Sequence, residues 1–197
     1  MPAHRVGSNI KGRSSKEAIL RAATTVFADH GYRGTTMALV AAAASLTHPG
    51  LLYHFPNKEQ LLFAVMDRHL VPGVTRVERA AEDGSEAVFA TLREIADENL
   101  DDPEWVRLAS VLMAESLAPD HPAHAYFAER TSRIASALSA GLSDLDPDPA
   151  RRLSIARFLN ASWDGLRMHS LLDPSIDVLG DLERLVDLVR RAGTTGG

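Results

Sequence analysis

The 197-residue sequence contains no cysteine, which excludes disulfide scaffolds, thiolate zinc sites, iron–sulfur clusters and cysteine nucleophiles together. No apolar run approaches the length that crosses a bilayer, and the opening residues MPAHRVGSNIKGRSS lack the apolar stretch of a secretory signal. A cytoplasmic protein with no membrane partner is the expectation. Strand signals are missing as well: no segment alternates apolar and polar residues between hairpin turns, and no internal repeat is present. There is no HExxH pair and no glycine-rich phosphate loop, and the GSEA stretch at 84–87 lacks the pattern of a nucleophile elbow. Neither an enzyme nor a cofactor is expected.

What is there is the balance of an ordinary soluble globular chain, 45% apolar and 24% charged. Its length allows one sizeable domain or two modest ones, enough to bury a core without staples. The basic side chains are 3 Lys and 18 Arg, and the net charge of −5 hides an asymmetry. Residues 1–58 hold seven basic and two acidic side chains, +5, and the rest carries −10. A cationic head attracts phosphate backbones or anionic surfaces, while an anionic body discourages adhesion elsewhere. Charge fluctuates along any chain, so this asymmetry gains meaning only from the pattern around it.

Helix signals run the length of the chain. Ser14 or Ser15 can cap a first helix in which Ile19, Ala22, Ala23, Val26 and Phe27 recur at helical spacing, with Gly31 as its stop. Thr35 and Thr36 offer a second cap ahead of MALVAAAA. Ser45-Leu46-Thr47 interrupts that run, and Thr47 caps a short segment, HPGLLYHF, with Pro49 in its first turn. Asn57 then caps a helix to about Leu70, where Pro72-Gly73 marks a kink or break. Further helices are expected at 85–100, 103–117, from His121 or Pro122 to Gly141, at 149–172 and at 176–192. The fold class is therefore all-α, a three-helix head followed by a larger antiparallel helical body. The expected divisions are a flexible basic arm (1–13), the head (14–57), the body (58–192) and a loose tail (193–197).

Within residues 31–62, two short helices joined by a tight three-residue turn describe a helix-turn-helix, whose second helix enters the major groove of duplex DNA. Val40, Ala44, Leu51 and Phe55 would face the head's core, leaving Thr47, His48, Pro49, Leu52 and Tyr53 outward. Two core helices of a bundle would show a similar apolar pattern. The runs GYRGTT (31–36) and LTHPGLLYHFPNKE (46–59) carry Gly31 with Tyr32, the Thr35-Thr36 pair, Tyr53-His54-Phe55 and Asn57-Lys58-Glu59. At that spacing they resemble the DNA-binding head of TetR-type transcriptional repressors, and WDGLRMHSLLDP (163–174) more weakly resembles the penultimate helix of many members.

The resemblance implies that Tyr53, His54 and Lys58 meet phosphates and that Thr36 caps the helix crossing the DNA backbone. It also implies that Arg5, Lys11, Arg13 and Lys16 form an arm able to reach the backbone or minor groove. The sequence departs from the family at Ser45, which replaces the usual turn glycine. It departs again between Thr35 and His48, where no charged side chain occurs, and at Gly50 and Leu52. Base readout is then limited to Thr47, His48 and a methyl contact from Leu52, so affinity should depend steeply on salt.

The body implied by the resemblance senses a small-molecule effector and forms a homodimer that grips a palindromic operator, its recognition helices roughly 34–36 Å apart. Ala156, Leu159, Trp163, Leu166 and Ser170, and Leu179, Leu182, Val186 and Val189, repeat every three or four residues. Such stripes suit either a helix–helix seam between protomers or the protomer's own core. Apolar bulk on the helices that enclose the family's pocket nominates Met66, Phe89, Trp105, Met113, Phe127 and Met168 as its walls, with His69 and His169 as polar groups. Each is also an ordinary core or surface residue. A helical ligand-binding or interaction protein without operator specificity is the alternative reading. A remoter one is a metalloenzyme using His121 and His124 with His69 or His169.

Overall fold

The computed structural model describes the backbone of residues 5–194 and the side chains of residues 14–192. The described residues contain helices and turns and no strand, in the order α1 (Arg5–Gly34), α2 (Met37–Ala43), α3 (His48–His54), α4 (Lys58–Ala80), α5 (Ser85–Asp101), α6 (Pro103–Glu115), α7 (His124–Gly141), α8 (Pro149–Leu172) and α9 (Val178–Thr194). One 3-10 turn, Ala81–Asp83, links α4 to α5.

Local chemistry accounts for most of these bounds. The hydroxyls of Thr36 and Thr47 accept the Leu39 and Gly50 amides, each at 3.2 Å, and Asn57 Oδ1 accepts the Gln60 amide at 2.8 Å. Each cap satisfies a first-turn donor that the helix itself cannot. Asp102 and Asp148 cap α6 and α8, which both open on proline. The helix α2 ends with Leu46 N–H on the Ala41 carbonyl at 2.8 Å and Ser45 N–H on the Ala42 carbonyl at 3.1 Å. That paired closure requires a left-handed residue, and Ser45 supplies it with φ 55°.

Three expectations are corrected. The backbone is helical from Arg5, not from Ser14, so 5–13 is not an irregular arm. No proline interrupts this stretch, and an existing helix gains one hydrogen bond per added residue. The side chains of Arg5, Lys11 and Arg13 lie outside the described residues, as do residues 195–197 of the expected tail.

The second correction concerns α4, which does not end near Leu70 but runs through Pro72 to Ala80. Proline forfeits the hydrogen bond to the residue 68 carbonyl, a cost offset here by burying Val74, Val77 and Ala80.

The third concerns the stripes nominated for a dimer seam. Ala156, Leu159, Trp163, Leu182, Val186 and Val189 are all buried within the protomer, and Leu179 packs against the same cluster. Leu166 and Ser170 are partly exposed.

The buried residues form two clusters that meet along α4. The first joins Ile19, Val26 and Phe27 of α1 to Val40, Leu51 and Phe55, and continues through Leu61–Leu70 into Leu108 and Leu112 of α6. The second joins Val74–Ala80 to α5, α7, α8 and α9. The helix α4 therefore belongs to both, and α6 lies along α1, with Arg107 paired to Asp29 at 2.6 Å.

Candidate functional site

At the head, α3 is held by one face and open on the other. Leu51 is fully buried and Phe55 is buried beside it, so the helix is anchored through two side chains four apart. Thr47, His48, Pro49 and Tyr53 are exposed, Tyr53 at 86%, and Leu52 and His54 are partly exposed. The His54 ring stands edge-on to Tyr53 with centroids 5.3 Å apart. Thr47 Oγ1 is engaged as a cap acceptor, which leaves its O–H as a donor. On α2, Thr36, Ala38, Leu39, Ala42 and Ala43 are exposed, a face with no charge of its own. Lys16 is exposed and its ammonium lies 5.6 Å from the Phe55 ring centroid, beside the foot of α3.

Lys58 also does something the resemblance does not imply. Its ammonium donates to the Tyr32 carbonyl at 2.7 Å and the Thr35 carbonyl at 2.8 Å, and sits 4.3 Å from the Tyr32 ring centroid. Burial lowers its pKa, with Glu115 opposing that effect. This group pins the turn between α1 and α2 with two of its three N–H donors. The same corner explains Gly31, whose φ of 65° and ψ of −179° belong to glycine alone. A β-carbon there would stand 2.5 Å from Glu115 Oε1. The Glu115 carboxylate on α6 accepts the Tyr32 N–H at 2.6 Å, and Thr35 donates to the Gly31 carbonyl at 2.7 Å. The buried His121 ring stands edge-on to Tyr32, centroids 5.0 Å apart. Body residues thus fix the angle at which the head's second helix leaves the first.

In the body, a cavity of about 240 Å³ lies among α4, α5, α6, α7 and α8. Of the residues nominated for a pocket, His69 and Trp105 line it, their rings stacked 4.4 Å apart at 11°. The others do not. Met66 and Phe127 are buried in the first core cluster, Met113 packs against it, and Phe89 is buried in the second. Met168 and His169 point outward from α8 and are exposed. Apolar bulk selected side chains that fill space rather than those that border it.

The residues overlooked in the sequence are charged and amide groups at apolar-stripe positions. Arg130 falls between Phe127 and Ile134 on α7, and Asn160 and Arg167 fall beside Leu159 and Trp163 on α8; all three line the cavity. A charged residue inside a three-or-four repeat of buried ones was the available signal. Arg167 is buried and donates to Asp164 at 2.8 Å. Burial pulls the Arg130 guanidinium below its usual pKa range, Asp164 opposing this and Arg167 adding to it.

Two histidines of the metal reading, His121 and His124, are engaged elsewhere. His121 Nδ1 accepts the Ala123 amide at 3.2 Å and His124 Nδ1 lies 2.8 Å from the Ser116 carbonyl. Among the described residues no three His, Cys, Asp or Glu side chains form a group able to hold a metal ion. No described helix is long and apolar enough to cross a membrane.

Residues 19–65 match the family model described as "Bacterial regulatory proteins, tetR family". The chain is 32% identical over 108 residues to the HTH-type transcriptional activator FasR of Mycolicibacterium smegmatis, a match spanning 53% of this chain and about half, 49%, of FasR. It is 28% identical to the HTH-type transcriptional regulator TtgR of Pseudomonas putida over 90% of each chain. Among solved structures, SmeT, the repressor of a Stenotrophomonas maltophilia multidrug efflux pump, superposes with a TM-score of 0.70 at 22% identity, covering 90% of this chain and 89% of SmeT. The chain belongs to the tetR family of bacterial regulatory proteins.

Proposed function

We propose that the protein is a DNA-binding transcriptional regulator that grips a two-fold operator as a homodimer and releases it when a small molecule enters the body cavity. One observation carries this reading: a two-turn helix, α3, anchored by Leu51 and Phe55, presents Thr47, His48, Pro49 and Tyr53 outward from the cationic end of the chain. An aromatic side chain left 86% exposed on a rigid helix makes sense against the groove and phosphates of a duplex. Lys16 and Thr36 flank it, and the arm residues Arg5, Lys11 and Arg13 supply further cationic contacts. Lys58 acts as a pin of the corner.

The dimer seam we propose is the outward face of α8. Phe158, Ala161, Gly165, Met168 and Leu172 recur every three or four residues, and Phe158, Met168 and Leu172 are 58%, 46% and 81% exposed. Ala161 and Gly165 allow close approach of a second helix, and Leu188 on α9 adds an apolar side chain 58% exposed. The mechanism then follows the path of α4. Its first residue, Lys58, is hydrogen-bonded to the head corner, and His69, Pro72 and Gly73 line the cavity. A ligand that favours one position of α4 changes the separation of the two heads and so the population able to span an operator. Occlusion of a promoter, hence repression, is the simplest outcome for a chain of this composition.

Footprinting of the purified protein on duplex DNA flanking its own gene, over excess competitor DNA, tests the proposal. Protection of two half-sites about one helical turn apart is expected, lost in His48→Ala and Tyr53→Ala with the dimer intact. Sequence-independent retention, or none, would favour an interaction protein instead.

A further inference from the structure

We infer that the body cavity binds a compact, amphipathic monocarboxylate whose carboxylate is held by Arg130 and Arg167. The inference rests on the proposed regulatory reading for the cavity's role, but its chemistry stands on the cavity's own atoms.

Five buried side-chain donor atoms lack a hydrogen-bond partner among the described residues, and four of them belong to cavity-lining residues: Asn99 Nδ2, Arg130 Nε and Nη1, and Arg167 Nε. All four are donors. A buried donor left unmade costs free energy, so the group that completes this set must bring acceptor oxygens.

Charge pairing points the same way. Of the four arginines lining the cavity, Arg76 pairs with Glu94 and Glu98, Arg68 with Glu17, and Arg167 with Asp164. Arg130 makes no ion pair among the described residues, and its desolvation is the largest influence on its pKa. Arg130 is therefore the one cavity arginine without a carboxylate partner among the described residues, and the carboxylate of a ligand would supply it. The remaining walls include Leu92, Ile95, Ile134, Leu159 and the rings of Trp105 and Trp163, which suit an apolar body behind the carboxylate. A cavity of about 240 Å³ lies below the usual range for small-molecule sites, which keeps the ligand small.

The test uses the full chain, whose only two tryptophans, Trp105 and Trp163, both border the cavity and report binding through intrinsic fluorescence. The probes are octanoate and 4-phenylbutyrate, each against its neutral amide, with octylamine as the cationic counterpart. At least one acid is expected to bind about tenfold or more tightly than its amide, a difference of about 1.4 kcal/mol, and octylamine not at all. Arg130→Met should abolish the preference for acid over amide. The same variant should leave the unliganded chain as stable or more so, because a methionine replaces a buried charge without a partner. A control, Arg133→Met, alters an exposed residue paired with Glu78 and should keep the preference.

Equal affinity for acid and amide, no response to either acid at millimolar concentration, persistence of the preference in Arg130→Met, or marked destabilisation by that change would each overturn the assignment. Footprinting without probes separates the two readings. Operator protection without preferential acid binding removes the carboxylate assignment alone, whereas acid binding without protection removes the DNA reading and leaves the cavity's chemistry intact.

Discussion

The corner at Gly31 offers a stability prediction whose parts can be separated. Gly31→Ala forces a side-chain-bearing residue to φ 65°, ψ −179°, a region that costs about 1–3 kcal/mol for anything but glycine. The added β-carbon would also meet Glu115 at 2.5 Å from Oε1 and 2.9 Å from Cδ, so the carboxylate must move. Moving it breaks the 2.6 Å bond from the Tyr32 amide, and hydrogen bonds to a charged group are worth about 1.5–3 kcal/mol. Together these give a loss of roughly 3–5 kcal/mol. Urea unfolding should show a lower midpoint at unchanged slope. In a Glu115→Ala background the clash and the bond are already gone, so Gly31→Ala should cost only the backbone part, about 1–3 kcal/mol. A loss below about 1 kcal/mol in the native background, or the same loss in both, refutes this account of the corner.

Other consequences are simpler to read. Ser45→Gly relieves the left-handed residue that closes α2 and should stabilise the chain by about 1 kcal/mol, raising Tm by roughly 2–4 °C without changing the footprint. Burial is the main cause lowering the pKa of both His69 and His121 from 6.5, Arg68 adding to it at His69 and Asp102 opposing, while Glu115 opposes it at His121. The unfolded chain then takes up these protons first as pH falls. Stability should therefore decline on acidification through the range below 6.5 and be complete above about pH 7, and His69→Gln or His121→Gln should flatten the urea midpoint against pH. Phe158→Arg should yield a monomer by light scattering, folded by circular dichroism and without operator protection, since that ring is 58% exposed on the proposed seam.

How much of this could be read in the sequence depended on whether the deciding interaction was local. Caps at Thr36, Thr47 and Asn57 act within one turn, so the starts of α2, α3 and α4 were legible from residue type alone. The bounds of α8 followed from Pro149 and Asp173-Pro174 in the same way. The continuation of α4 past Pro72 was not legible, because what sustains it is packing of Val74 and Val77 against residues far along the chain. Two apolar stripes run along α8, one through Leu159 and Trp163 and one through Phe158 and Leu172, at the same spacing. Periodicity identifies both but cannot say which meets the protomer's own core. Lys58 shows a related limit: its type and position fit a phosphate contact, and its hydrogen bonds to two carbonyls brought together by the turn at Gly31 were not legible. The cavity arginines were hidden because Arg130 and Arg167 read as solvated charges unless their place within an apolar repeat is counted.

The central claim is that α3 faces duplex DNA, and a photoreactive phenylalanine analogue placed at position 53 tests it most directly. Irradiation in the presence of the footprinted fragment should join the chain to bases or sugars within the protected half-sites, while the same analogue at position 158 should join one protomer to its partner. Crosslinks from position 53 to protein alone, with the fragment still bound, would contradict the account.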